Sequence, residues 1–196
     1  FYNFVMKKFV ILLSIIILNV GNAFADVDLS EQAKLLYADN NIAATFDLLL
    51  SIPEDDRTAE NWLLLGNILQ DKGRTSDAAF MYNQAIAKDP KYYKAYYNLA
   101  NIYLEEDKPN LAIENYKKVL KLKDDYAYAY YNLGCAYIKI GKMKSARTAF
   151  LNAIDFKNNV SDFHYNLAYV YKKLNNPKKA ELYLKYYNQI KESHIE

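Results

Sequence analysis

The 196-residue chain holds only five glycines, four prolines, two histidines, one tryptophan and one cysteine. So few Gly and Pro leave little room for the tight turns of an all-β protein. A single cysteine, Cys135, cannot close a disulfide within the chain and is expected to be buried and inert or to pair between molecules. The two histidines, His164 and His194, form no cluster with metal-ligand spacing. No Gly-rich phosphate loop is present, nor a nucleophile with a base near it in sequence. Acidic runs such as Glu105-Glu106-Asp107 read as a solvated helix end. The expectation is a protein with no cofactor, no metal and no catalytic residues.

What the chain has instead is tyrosine, 20 of them, alongside Leu, Ala and Lys. That composition favours helices packed through aromatic side chains. The formal charge of +2 comes from Lys7 and Lys8, since residues 26–196 carry 23 basic and 23 acidic side chains. A neutral body lacks the electrostatic term on which nucleic-acid binding depends, so no nucleic acid is expected as a partner. The halves differ, however. Residues 26–90 hold 12 acidic and 5 basic side chains, and residues 91–196 hold 11 and 18.

Residues 1–25 have the three-part layout of a secretory signal. Lys7-Lys8 form the basic stub, and Phe9 to Leu18 form an apolar run. Ala23-Phe24-Ala25 place small residues at −3 and −1 of a cleavage site after Ala25. The run of ~10 residues is short of the ~20 that span a bilayer, so membrane attachment is expected only if this segment stays uncleaved. Export to a periplasmic or extracellular compartment is the expectation.

The rest of the chain aligns with itself at a step of 34 residues. Trp62, Tyr96, Tyr130 and His164 are equivalent, as are Leu65, Leu99, Leu133 and Leu167. Small residues recur at Gly66, Ala100, Gly134 and Ala168, and again at Ala78, Ala112, Ala146 and Ala180. Large ones follow at Tyr82, Tyr116, Phe150 and Leu184. Offsets of 3, 4 and 7 put the large residues on one helical face, and the small ones let two helices approach. Between the helices stand Gly73, Asp107, Gly141 and Asn175, types that tolerate a left-handed C-terminal cap. Pro109 and Pro177 follow, suited to a first helical turn. Each unit is therefore a pair of ~14-residue helices joined by a turn.

Trp62-x2-Leu65-Gly66-x2-Leu69, then Ala78-x3-Tyr82, then Pro90, resembles the tetratricopeptide repeat pattern. The resemblance implies an all-α, right-handed α-solenoid of helix–turn–helix hairpins, with units at 59–92, 93–126, 127–160 and 161–194. Residues 26–58 read as a degenerate first unit that caps the array, with Ala44 and Leu48 in register with Ala78 and Tyr82. Lys178 to Glu192 forms a long terminal helix whose lysines keep it solvated. His164, at the Trp62 position, is expected in the core.

In such a solenoid the first helix of each unit lines the concave face. That predicts a groove formed by Asn67, Tyr97, Asn98, Asn101, Tyr131, Asn132, Tyr165, Asn166 and Tyr169. Aromatic rings and amides suit an extended peptide or a partner helix. The lysine with which relatives clamp a C-terminal carboxylate is replaced by Leu63, Tyr97 and Tyr131, so a clamp of that kind is not expected. The function read from these residues is a non-catalytic interaction scaffold in an exported assembly. The alternative is a homo-oligomer in which the acidic N-terminal half docks on the basic, Tyr-rich C-terminal helix.

Overall fold

The computed structural model describes residues 28–193; the expected signal segment and His194 lie outside the described residues. These contain ten α-helices, one 3₁₀ turn and no strand. They divide into two compact units between Arg57 and Thr58.

The first unit is one hairpin: α1 (Leu29–Ala38), α2 (Ile42–Ser51) and the 3₁₀ turn Glu54–Asp56. Asp28 caps α1, its carboxylate accepting from the Ser30 and Glu31 amides at 2.9 and 3.3 Å, which satisfies donors that a helix start leaves unpaired. At the other end, buried Arg57 donates from Nε to the Leu49 carbonyl and from its guanidinium to that of Leu50, both at 3.2 Å. One cation thus closes the C-terminus of α2, where the helix dipole favours it.

The second unit is four hairpins: α3 (Ala59–Asp71) with α4 (Thr75–Lys88), α5 (Tyr93–Glu105) with α6 (Pro109–Leu122), α7 (Ala127–Lys139) with α8 (Met143–Phe156), and α9 (Ser161–Lys173) with α10 (Pro177–Ser193). A capping box starts α3: the Asn61 amide donates to Thr58 Oγ1 at 3.1 Å, and the Thr58 amide donates to Asn61 Oδ1 at 2.9 Å. Proline opens α6 and α10 as expected. Within this unit each helix packs against the next along the chain, and α5 also touches α7, so the first helices of successive hairpins form a row.

All four expected turn residues sit in the left-handed region, with φ of 74° at Gly73, 56° at Asp107, 72° at Gly141 and 55° at Asn175. The first unit has its own at Asn40, φ 58°. In every turn the following amide donates to the carbonyl five residues back, as Arg74 does to Leu69 at 2.9 Å and Asn41 to Leu36 at 2.9 Å. This is the Schellman closure of a helix end.

Asn40 also corrects the register of the first unit. It precedes Gly73 by 33 residues, not 34, so the unit is one residue short. The buried side chains of α2 are accordingly Thr45 and Leu49, not Ala44 and Leu48. At a step of 33, Thr45 matches Ala78, Leu49 matches Tyr82, and fully buried Ala33 matches Gly66.

The small residues act as expected within the second unit. A Cβ on Gly66 would run into the Tyr82 ring, and one on Gly134 would lie 2.6 Å from Phe150 Cε1. Tyr82, Tyr116 and Phe150 are completely enclosed, with Ala78, Ala112 and Ala146 also buried.

Candidate binding groove

The predicted groove residues of the second unit fall on the row of first helices, and most are engaged with one another. Asn67 Oδ1, on α3, accepts from Asn98 Nδ2 on α5 at 2.8 Å. One hairpin on, Asn101 Oδ1 accepts from Asn132 Nδ2 on α7 at 3.0 Å. Asn132 Nδ2 also donates to the Tyr97 hydroxyl at 3.1 Å. The second helices reach the same ladder: the Tyr116 hydroxyl donates to Asn101 Oδ1 at 2.6 Å. The Tyr82 hydroxyl lies 3.0 Å from Asn67 Oδ1 and 2.8 Å from Gln70 Oε1. Each acceptor amide therefore ties its own hairpin and joins it to the next.

The pattern changes at the third rung. Cys135 stands where an amide is needed, so Asn166 Nδ2 on α9 donates to the Tyr131 hydroxyl at 2.7 Å. Phe150, the residue that would have reached the missing amide, has no hydroxyl. Rings take over here: Tyr131 stacks on Phe163 at 4.7 Å and leans on Phe150 at 5.6 Å.

The residues of the row are unequally available. Asn67, Tyr97, Asn98, Asn101, Tyr131, Asn132 and Asn166 are half-buried, whereas Tyr165 is 52% exposed and Tyr169 is 40% exposed. Tyr165 leans on Tyr187 of α10 at 5.3 Å, and Lys173 Nζ sits 5.5 Å over the Tyr169 ring. With Ala168, Lys172, Ala180 and Leu184, these two tyrosines line a recess of about 230 Å³. Sequence reasoning missed Tyr82 and Tyr116 as parts of the ladder. It also treated the asparagine amides as available to a ligand, although Asn98, Asn132 and Asn166 each spend a donor inside the row.

The electrostatics favour neutral side chains. Burial raises the Tyr97 hydroxyl above its usual range and raises Tyr116 and Tyr131 further. Burial pushes the Cys135 thiol up to about 11, so at neutral pH it is protonated and a poor nucleophile. His164 is buried, as the sequence predicts, with Nε2 2.8 Å from the Asn158 carbonyl oxygen; that contact assigns the proton to Nε2. Among the described residues no three metal-ligating side chains come together, and no helix is long and apolar enough to cross a membrane.

Hairpins of two helices repeated at a fixed step, with small residues at the crossings and Schellman turns between, define a helical-repeat protein. The chain belongs to the tetratricopeptide repeat family: a model described as Tetratricopeptide repeat matches residues 59–92, 127–160 and 161–193, another of that description matches 81–114, and one described as TPR repeat matches 100–141. Among solved structures, a crystal structure of MamA superposes with a TM-score of 0.75 at 22% identity, covering 83% of this chain and 96% of that one. MamA from Desulfovibrio magneticus RS-1 superposes with a TM-score of 0.74 at 17% identity, covering 85% and 97%. At such identities the shared property is the fold, an all-α solenoid of helical hairpins. No curated protein sequence matches the chain. Tetratricopeptide repeats serve generally as surfaces for other proteins, and the chain is an interaction scaffold in that sense.

Proposed function

We propose that the chain is a non-catalytic, exported scaffold that binds an extended peptide or a partner helix along the row of first helices, within an envelope assembly. The carrying observation is the end of the row. Its inner rungs are closed by their own hydrogen bonds, while Tyr165 and Tyr169 present rings beside a 230 Å³ recess. Rigid aromatic area flanked by amides is the chemistry that protein-binding surfaces favour. The neutral body supports a protein partner over nucleic acid.

A photo-crosslinking amino acid at Tyr165 tests the groove against one at Lys118, an exposed residue of a second helix. Capture of a partner at Tyr165 and not at Lys118 is expected. Equal capture at both, or none at either, overturns the groove. Export is tested separately by N-terminal sequencing of the protein recovered from an envelope fraction, with Asp26 expected as the first residue. Recovery only from the cytosol, with residues 1–25 intact, overturns it.

A further inference from the structure

Each join between hairpins of the second unit has a receiving side on a second helix and an entering side on the next first helix. At the last join, Phe150 of α8 receives Leu167 and Val170 of α9 in one buried cluster, and Ala153 receives Phe163. The receiving residues Tyr82, Tyr116 and Phe150 are all 0% exposed, whereas their equivalent on α10, Leu184, is 41% exposed. The entering residues Ile102, Ala136 and Val170 are all 0% exposed. Their equivalent on α1, counting the shorter 33-residue step, is Leu35, which is 60% exposed. Among the described residues, α1 thus presents an exposed entering side and α10 an exposed receiving side of the same repeated interface.

The two open sides are complementary in charge and size. α1 and its two caps hold Asp28, Glu31 and Asp39 against Lys34, which pairs with Glu31 at 3.2 Å, whereas α10 carries Lys178, Lys179, Lys185 and Lys191 against Glu181 and Glu192. Helices linked by such short turns run antiparallel, so a helix continuing the array would start beside the end of α10. That places Asp28 and Glu31 near Lys191. Where Ala153 receives the large Phe163, α10 offers the large Tyr187 and α1 offers the small Asp28, a reversal that conserves volume.

We propose that α1 of a second copy docks on α10 and continues the array head to tail, with Leu35 against Leu184. The contact joins two different surfaces, so it builds open chains or closed rings, not isolated two-fold dimers. It requires no ligand, but Leu184 also lines the recess beside Tyr165 and Tyr169, so a docked copy covers that end of the groove.

Sedimentation velocity on the purified protein tests this with two variants at exposed positions, Leu35→Lys and Leu184→Glu, each checked for helix content by circular dichroism. Each substitution sets a charge against its own kind on the opposite side. Wild-type mass should rise with concentration above that of one chain, and each variant alone should stay monomeric. A mixture of the two variants retains one intact side of each kind and sets the introduced lysine against the introduced glutamate, so it should again assemble beyond one chain. A wild type that is monomeric at hundreds of micromolar overturns the proposal. So does either variant assembling like the wild type, or a mixture that stays monomeric.

Discussion

Asn132 donates to Asn101 at 3.0 Å, two amides 31 residues apart on neighbouring hairpins, and the same Asn101 oxygen takes the Tyr116 hydroxyl at 2.6 Å. Buried polar groups are costly when left without partners. Replacing Asn101 by Leu strands the enclosed Tyr116 hydroxyl and is expected to cost about 1–3 kcal/mol. Adding Tyr116→Phe should recover much of that loss, because the pair then imitates Cys135 and Phe150. Urea denaturation of the two single variants and the double variant checks this. A loss in the double variant equal to the sum of the two singles would show that the amide and the hydroxyl act independently.

Gly134→Ala places a methyl 2.6 Å from Phe150 Cε1. Overpacking of this kind typically costs about 1–3 kcal/mol, more than the roughly 1 kcal/mol that alanine gains over glycine within a helix. The net effect should be destabilising, and smaller in a Phe150→Leu background. There the added methyl meets a shorter side chain, the combination the chain already uses at Ala168 and Leu184, which line one recess. A thermal or urea midpoint for the four members of that cycle is the measurement.

Asn175 holds φ 55°, a conformation that costs an ordinary L-residue about 1–2 kcal/mol. Asn175→Val should lose that amount, while Asn175→Gly should be at least as stable as the natural chain. Paired urea curves distinguish this from a general intolerance of the turn.

Alkaline pH should unfold the protein earlier than its helix content suggests. Burial pushes Tyr126 from 10.0 up to about 12 and Cys135 from 9.0 up to about 11, with Tyr97, Tyr116, Tyr131 and Tyr183 also raised by burial. A raised folded pKa means that the folded state prefers the proton. The associated stability is therefore complete below the unfolded value and is lost as pH climbs through the folded one. Melting temperature should be level below about pH 9 and fall between about pH 10 and 12. The share of tyrosinate absorbance that comes from these buried rings should rise together with the loss of helical signal, not ahead of it.

Much of the fold can be read from self-alignment, because the 34-residue step places small residues opposite large ones and turn formers between helices. Gly73, Asp107, Gly141 and Asn175 all take positive φ, and His164 is buried. The first unit was harder. Losing one residue after Leu49 breaks a fixed step, and Ala44 and Leu48 then align where Thr45 and Leu49 belong. The groove was legible as a row of positions but not in its bonding, since which amide meets which depends on how far apart successive helices sit. One trace existed: Asn67 with Tyr82 and Asn101 with Tyr116 share a spacing of 15, and Cys135 with Phe150 lose both polar groups together.

That joint loss at Cys135 and Phe150 has a mechanical consequence. Hydrogen bonds between amides fix the register of one hairpin on another within a few tenths of an ångström, because their strength falls steeply with angle and distance. Ring contacts are held mainly by buried area and accept small tilts at little cost. The two earlier joins are thus indexed by amide pairs, whereas the last keeps one amide-to-hydroxyl bond, Asn166 to Tyr131 at 2.7 Å, beside the stacked rings of Tyr131 and Phe163. That join is the expected place for the pitch of the row to change, at the hairpin that carries the two exposed tyrosines.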